Sequence, residues 1–386
     1  MPWYTVRWHY GPLPTTLLET GILLTAVLFA LESWRLRTWP EWRTPLSWPA
    51  ALFVIAGAIS VIVAPDHRAA LGLYRADILE PIAFFVILGT VIRSWNQARW
   101  ILLGLAIAGA EACVPNAFVV AQAIRHHTLN VAIAPPVVIY QTANAVALFA
   151  VPLLAVAAAL LVYAPERRDR IGALAFMLVA LPGTFLSFSR GGYLALLGIG
   201  IILALTHRWR IVLVATIAVV ALALSRIPQV ASRIGHEFNP SDPNNSLQER
   251  YRLWGATLRM LKEHPIFGAG LSGFKQTVDR YRNGVYTEQL IYPHNIVLNF
   301  WSETGLLGLA AFAWILVQTA RTAWRGWRNG PARWRSLQLG VMLMLVGVVL
   351  HGLVDVPYWK NDLSLEFWAL LGLSWAGYRS APAAGD

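Results

Sequence analysis

Three residues far apart in the chain have side chains that suit one chemistry. His294 follows Tyr292-Pro293 and stands where a long polar interval, beginning at Ser225, gives way to an apolar run. Near neutral pH an imidazole is the usual group for taking the proton of a hydroxyl nucleophile in the transition state. Arg190, in Phe188-Ser189-Arg190-Gly191-Gly192, and Arg250 each present a permanent charge and a planar donor fork, which suit a phosphate or pyrophosphate. Blander roles compete. A lone histidine at a span end is more often an interfacial or capping residue, a terminal arginine snorkels to anchor its helix, and Arg250 could be an ordinary surface arginine. Arg75, Asp77 and Glu80 read as a local salt-bridge cluster. His351 and Asp355 lie one helical turn apart and read as a structural pair. Glu111, near Pro115 and Asn116, is either a buried satisfied acid or a cavity-lining one.

These residues must be held by membrane-spanning elements. Of 386 residues, 57% are hydrophobic and 13% charged, with a mean hydropathy of +0.52. That composition excludes an ordinary soluble domain. In hydrocarbon each backbone N–H and C=O must be paired within its segment, so the long apolar runs are helices. The expected fold is an all-α polytopic membrane protein with 11–12 transmembrane helices and one large extracytoplasmic loop containing short helices. Eleven spans centre on Leu17–Leu31, Trp48–Ala64, Ile78–Ile92, Ile101–Ile124, Val137–Tyr163, Ile171–Phe188, Tyr193–Thr206, Ile211–Leu224, Asn295–Thr319, Leu337–Val354 and Leu363–Tyr378. The expected organisation is spans one to eight in 1–224, a catalytic loop in 225–293, and spans nine to eleven with a short tail in 294–386. The start, Met1 to Thr16, lacks the pattern of a cleaved signal peptide.

The net charge of +11 reflects topology, not a nucleic-acid partner. One set of loops, which includes Arg35, Arg99, Arg168 and Arg325, carries 16 basic residues, and the opposite short loops carry 6. The positive-inside rule puts the richer set in the cytoplasm and His294, the Ser189-Arg190 turn and the long loop outside. Within that loop, Ser246 to Glu249 reads as a capping box. The helix it opens carries a stripe of Leu247, Tyr251, Trp254, Leu258 and Leu261. Arg250 falls on the edge of that stripe, whereas Arg252 and Arg259 face the other way. Gly268, Gly270 and Gly273 read as a tight backbone return, since the Lys-Ser/Thr of a P-loop is missing. No Asp-x-Asp pair lies outside to hold magnesium. Gly-x-Ser-x-Gly and His-Glu-x-x-His are also missing, and the single cysteine, Cys113, allows no disulfide or cysteine metal site. Arginines taking the part of a metal on a lipid-linked pyrophosphate fit best.

Ser189-Arg190-Gly191, then Arg250-x-x-x-Trp254, then Pro265 to Gly270, then His294-Asn295 with Gly305 and Gly308 beyond it, resemble in order and spacing the O-antigen ligase/O-antigen polymerase superfamily of GT-C type glycosyltransferases. His351-x-x-x-Asp355 and Asn144 after Tyr140-Gln141 are weaker echoes, and the strong part runs from Leu181 to Phe312. The resemblance implies transfer of a glycan from undecaprenyl pyrophosphate to an acceptor hydroxyl, on a lipid A–core sugar or similar, at the outer face of the cytoplasmic membrane without cofactor or metal. It makes His294 the general base and Arg190 and Arg250 the pyrophosphate ligands, with Ser189, Asn295, Gly305, Gly308, Arg75, His351 and Asp355 in support. Its implied partners are the lipid-linked donor, a glycolipid or glycan acceptor and membrane lipids. Members of this superfamily have about a dozen spans with both ends inside; eleven spans with the first residue outside depart from that. A polymerase of the same superfamily is one alternative. A small-anion transporter is another, though internal repeats with matching interrupted helices are missing. A reporter fused near Asn283 is expected to be active outside the cytoplasm, and cytoplasmic activity would overturn this topology.

Overall fold

The computed structural model describes residues 2–10, 13–130, 135–238, 245–282 and 291–380. Asn283, proposed above for the reporter, lies outside them, as do residues 239–244 and the rest of 283–290. Among the described residues each expected span is a helix: α1 (Leu17–Leu36), α2 (Ser47–Val63), α3 (His67–Leu73) continued by α4 (Glu80–Val91), α5 (Trp95–Arg125), α6 (Ala143–Tyr163), α7 (Arg167–Phe185), α8 (Arg190–Leu205) and α9 (Arg210–Ser225). After the polar interval come α13 (Ile296–Asn329), α14 (Ala332–Gly352) and α15 (Asn361–Arg379). Five of these, α1, α5, α6, α13 and α14, are long and apolar enough to cross a membrane, and α2, α8 and α9 are shorter apolar helices. The protein is a multi-pass membrane protein built almost entirely from helices.

Apolar helices without a polar face can be buried on every side, and α6 takes that place. It packs against α7 and α14; α14 also touches α8 and α13, α15 packs on α4, and α13 on α2. At the periphery α9 has no buried residue and leaves Ile211, Val219 and Leu222 exposed. A helix with that surface is suited to contact with lipid.

Three local features were not legible in the sequence. Arg7–Tyr10 and Leu13–Thr16 pair as an antiparallel hairpin, which leads into α1 through a capping box between Thr16 and Glu19. The third span is a composite, with a π segment, Tyr74–Leu79, joining α3 to α4. The polar interval opens with a further helix, α10 (Pro228–Phe238).

Two readings of the next helix, α11 (Ser246–Glu263), need correction. Its N-cap is Asn245, whose side chain accepts from Gln248 N, so Ser246 is already helical and makes no capping box. Its buried face is Leu253, Ala256, Thr257, Met260 and Leu261, while Tyr251 and Leu258 are exposed. The stripe is rotated because Tyr251 and Leu258 are apolar in type yet lie on the outer side.

The loop after α11 is locked into a break in α13. Gly305 has φ +66° and ψ −174°, which no helix accommodates. In an unbroken helix Leu306 N would donate to Ser302 O. Here Leu306 N donates to Ile266 O at 2.9 Å, and Ser302 O accepts from Ala269 N at 2.7 Å. The two groups orphaned by the break are thus satisfied by the loop. Gly268, at φ +65°, lies so close that an added Cβ would sit 2.4 Å from Ser302 O. The glycine-rich stretch is therefore a backbone return, and its short helix α12 (Phe274–Val278) follows. Gly268→Ala is expected to destabilise the fold by more than the roughly 1–3 kcal/mol of left-handed strain alone, because backbone must also shift. Thermal unfolding in detergent checks this; an unchanged Tm would show that the loop is not locked.

Candidate active site

α11 and the start of α13 meet through a tryptophan. Trp254 Nε1 donates to Pro293 O at 2.8 Å, which fixes the turn before His294. Asn295 caps α13 by accepting from Val297 N and Leu298 N, both at 3.1 Å, and its amide donates to Leu353 O at 3.1 Å. His294 between them has φ +48°, in the left-handed region that a histidine rarely adopts. These anchors hold the imidazole where Nδ1 is 3.1 Å from Asp355 Oδ1. Asp355 is itself fixed: Oδ1 accepts from Val356 N at 2.9 Å and Oδ2 from Asn144 Nδ2 at 3.2 Å. A carboxylate on Nδ1 favours the tautomer that carries its proton there and leaves the Nε2 lone pair for a reacting group. The Tyr292 ring meets that of His294 edge to face, with 5.5 Å between centroids.

The pairing of His351 with Asp355 is a correction. The hydrogen bond between them is a backbone one, Asp355 N donating to His351 O at 3.0 Å; the carboxylate lies near the His351 ring but pairs with His294 instead. The His351 ring packs against Gly191, where an added Cβ would lie 2.5 Å from Cδ2, and its Nε2 has no hydrogen-bond partner. Helical spacing identifies neighbours four residues away, and the true partner of Asp355 is supplied by a different span.

The arginines converge. Arg190 is the first residue of α8, whose N-cap Ser189 is buried and accepts from Gly192 N at 3.2 Å. Arg190 Nη2 donates to Ser246 Oγ at 2.6 Å, and Arg250 Nη1 reaches the same oxygen at 3.4 Å. Arg252, by contrast, is exposed. Burial lowers the Arg250 guanidinium pKa, against the charges of Asp355 and Glu249. Burial raises the Asp355 carboxyl, but His294 and then Arg250 outweigh it and hold it well below the usual carboxylate range. Burial, with Asp355 and Asp77, raises the Tyr292 phenol, which stays neutral. Two guanidinium groups beside one neutral hydroxyl are an arrangement chemically suited to an anion.

Arg75 stands apart from this group. It bonds Glu80 at 3.2 Å, as expected, but also Glu19 of α1 at 2.8 Å, and Asp77 is not its partner. Gly305 and Gly308 belong to the α13 break and not to the polar site. Among the described residues no cluster of three or more His, Cys, Asp and Glu side chains could hold a metal.

A polytopic helical membrane protein with a histidine–carboxylate pair and two arginines converging on one serine is the class defined here. Residues 175–313, which contain His294 and both arginines, match the family model described as O-Antigen ligase. An O-antigen ligase of Salmonella typhimurium is 26% identical over 161 residues, covering 38% of this chain and 40% of that protein. An uncharacterized protein of Haemophilus influenzae is 29% identical over 164 residues, covering 36% of this chain and 40% of its own length. The chain thus spans 40% of the length of these curated relatives. With the order of motifs, these matches support the O-antigen ligase superfamily as its family.

Asp355→Asn keeps the shape and removes the charge. The depressed carboxyl contributes stability that is fully present above its ordinary value, about pH 4, and is lost as pH falls toward its lower folded-state value. Wild type is therefore expected to melt above Asp355→Asn at neutral pH, with the gap closing below about pH 4. Equal melting points at pH 7 would mean that the carboxylate contributes nothing.

Proposed function

We propose that this chain is a glycosyltransferase that moves a glycan from undecaprenyl pyrophosphate to an acceptor hydroxyl at the outer face of the cytoplasmic membrane, as an O-antigen ligase does. The observation that carries this reading is one arrangement: His294 oriented by Asp355, with Arg190 and Arg250 converging on Ser246 beside it. The name of the Salmonella relative supports the reaction class.

In the proposed reaction the acceptor oxygen attacks the anomeric carbon of the donor glycan. The new C–O bond forms as the bond to the pyrophosphate oxygen breaks. The acceptor proton goes to His294 Nε2, and Asp355 balances the resulting imidazolium through Nδ1–H. The electron pair of the broken bond stays on the pyrophosphate, where Arg190 and Arg250 stabilise the added charge. Guanidinium groups act here without a proton of their own to lose, since they remain charged at any working pH. The Ser246 hydroxyl that both arginines now share marks where an oxygen of that leaving group can sit. A polymerase reading, in which the acceptor is the growing chain, uses the same residues.

The test is single-turnover transfer from the lipid-linked donor in liposomes, run beside donor binding on the same preparation. His294→Asn preserves a residue tolerant of left-handed backbone and is expected to bind donor normally yet lose about 10²–10⁴-fold in transfer. Asp355→Asn should lose about 10–100-fold, as for a group that orients another. Arg250→Ala should weaken donor binding, and Arg252→Ala should not. Near-normal transfer by His294→Asn would remove His294 from the mechanism, and loss of its donor binding would make it a pyrophosphate ligand.

A further inference from the structure

A second chamber, of mixed polar and apolar lining, adjoins the site beside Tyr292. It encloses about 480 Å³ between the N-terminal segment, the π segment, α12, α13 and the Trp359–Asn361 turn. That lies within the roughly 300–1,000 Å³ of small-molecule sites. Its lining is unusual for a membrane protein interior. Asp77 and Asn299 are each only 1% exposed, yet Asp77 Oδ1 and both amide atoms of Asn299 have no hydrogen-bond partner. Buried polar atoms left unpaired are costly, so a site that retains three of them has a use for them. Glu303, on the next turn of α13, lines the same chamber. Asp77 is placed there by the π segment, a feature that recurs at functional sites.

We infer that this chamber is the acceptor subsite and takes the terminal sugar of a hydroxyl-rich saccharide; the inference rests on the glycosyltransferase reading. A sugar hydroxyl both donates and accepts, so it satisfies a carboxylate and a carboxamide at once. Tyr4 and Trp359 add aromatic surface for the apolar faces of a pyranose ring. Lys275 and Gln276 supply donors from α12. Position separates acceptor from donor. In an in-line displacement the nucleophile and the leaving group lie on opposite sides of the anomeric carbon. Neither Arg190 nor Arg250 lines the chamber, whereas Tyr292, in ring contact with His294, does. A sugar bound there therefore reaches toward His294 past Tyr292 without touching either arginine.

Full-length protein in nanodiscs is titrated by calorimetry with a soluble oligosaccharide cut from the surface glycolipid of the native host, and separately with the lipid-linked donor. Asn299→Leu, of similar volume, and Gln276→Ala, on the exposed side of α12, are compared with wild type. Each is expected to weaken oligosaccharide binding about ten-fold, the loss of roughly 1.4 kcal/mol, and to raise the acceptor KM alike while donor Kd stays fixed. Gln276→Ala keeps the test open should Asn299→Leu misfold. Failure of wild type to bind the oligosaccharide, or unchanged binding in the folded variants, overturns the inference. Weakened donor binding instead of acceptor binding also overturns it, by making the chamber the donor-glycan site. Oligosaccharide binding that the variants weaken, without transfer by wild type, sustains the chamber and sinks the glycosyltransferase reading.

Discussion

The exchange of backbone hydrogen bonds at Gly305 fixes most of what lies above it. A helix that simply ended there would leave Ser302 O and Leu306 N to find water, and a straight helix would leave nothing for the loop to hold. By opening one bond and closing two with residues 266–269, the chain fastens the end of the polar interval to a spanning helix. α11 leads directly into that fastened loop, so its rotation and depth are set from its C-terminal end. Leu253, Met260 and Phe274 fill the small core between them. Arg250 and Trp254, one turn apart on α11, then have little choice of direction.

Electrostatics sets the second constraint. Asp355 is buried, and burial alone would protonate a carboxyl. It stays charged because His294, Arg250 and His351 lie around it and because Asn144 and Val356 donate to it. The same carboxylate offsets the desolvation of Arg250. His294 and Arg250 are therefore coupled through one acid, although they come from different elements. Removing that acid disturbs both the orientation of a histidine and the burial of an arginine.

Much of this was legible in the sequence, for reasons that can be named. Hydropathy located each of these helices because the bilayer demands internally bonded backbone. Arg250 was placed inward although the stripe that placed it was rotated, since Trp254 and Leu261 lie on both the assumed and the actual inner face. What escaped reading depends on contacts between distant segments. The partner of Asp355 was sought on its own helix and is on another; the N-cap of α11 was shifted by one residue because Ser246 serves Arg190 instead. The π segment leaves no periodic signature over six residues. The chamber beside Tyr292 is assembled from seven separate stretches, and no spacing rule reaches across them.

The position of Asp355 in the chain has a consequence for biosynthesis. Chains are made and inserted from the N-terminal end, at roughly 5–20 residues per second. His294 and both arginines are translated before Asp355, which follows α14. Until α14 has entered the bundle, the imidazole has no carboxylate to orient it and Asn295 has no Leu353 carbonyl to grip. The pairing of His294 with Asp355 is thus completed only after α14 has been made.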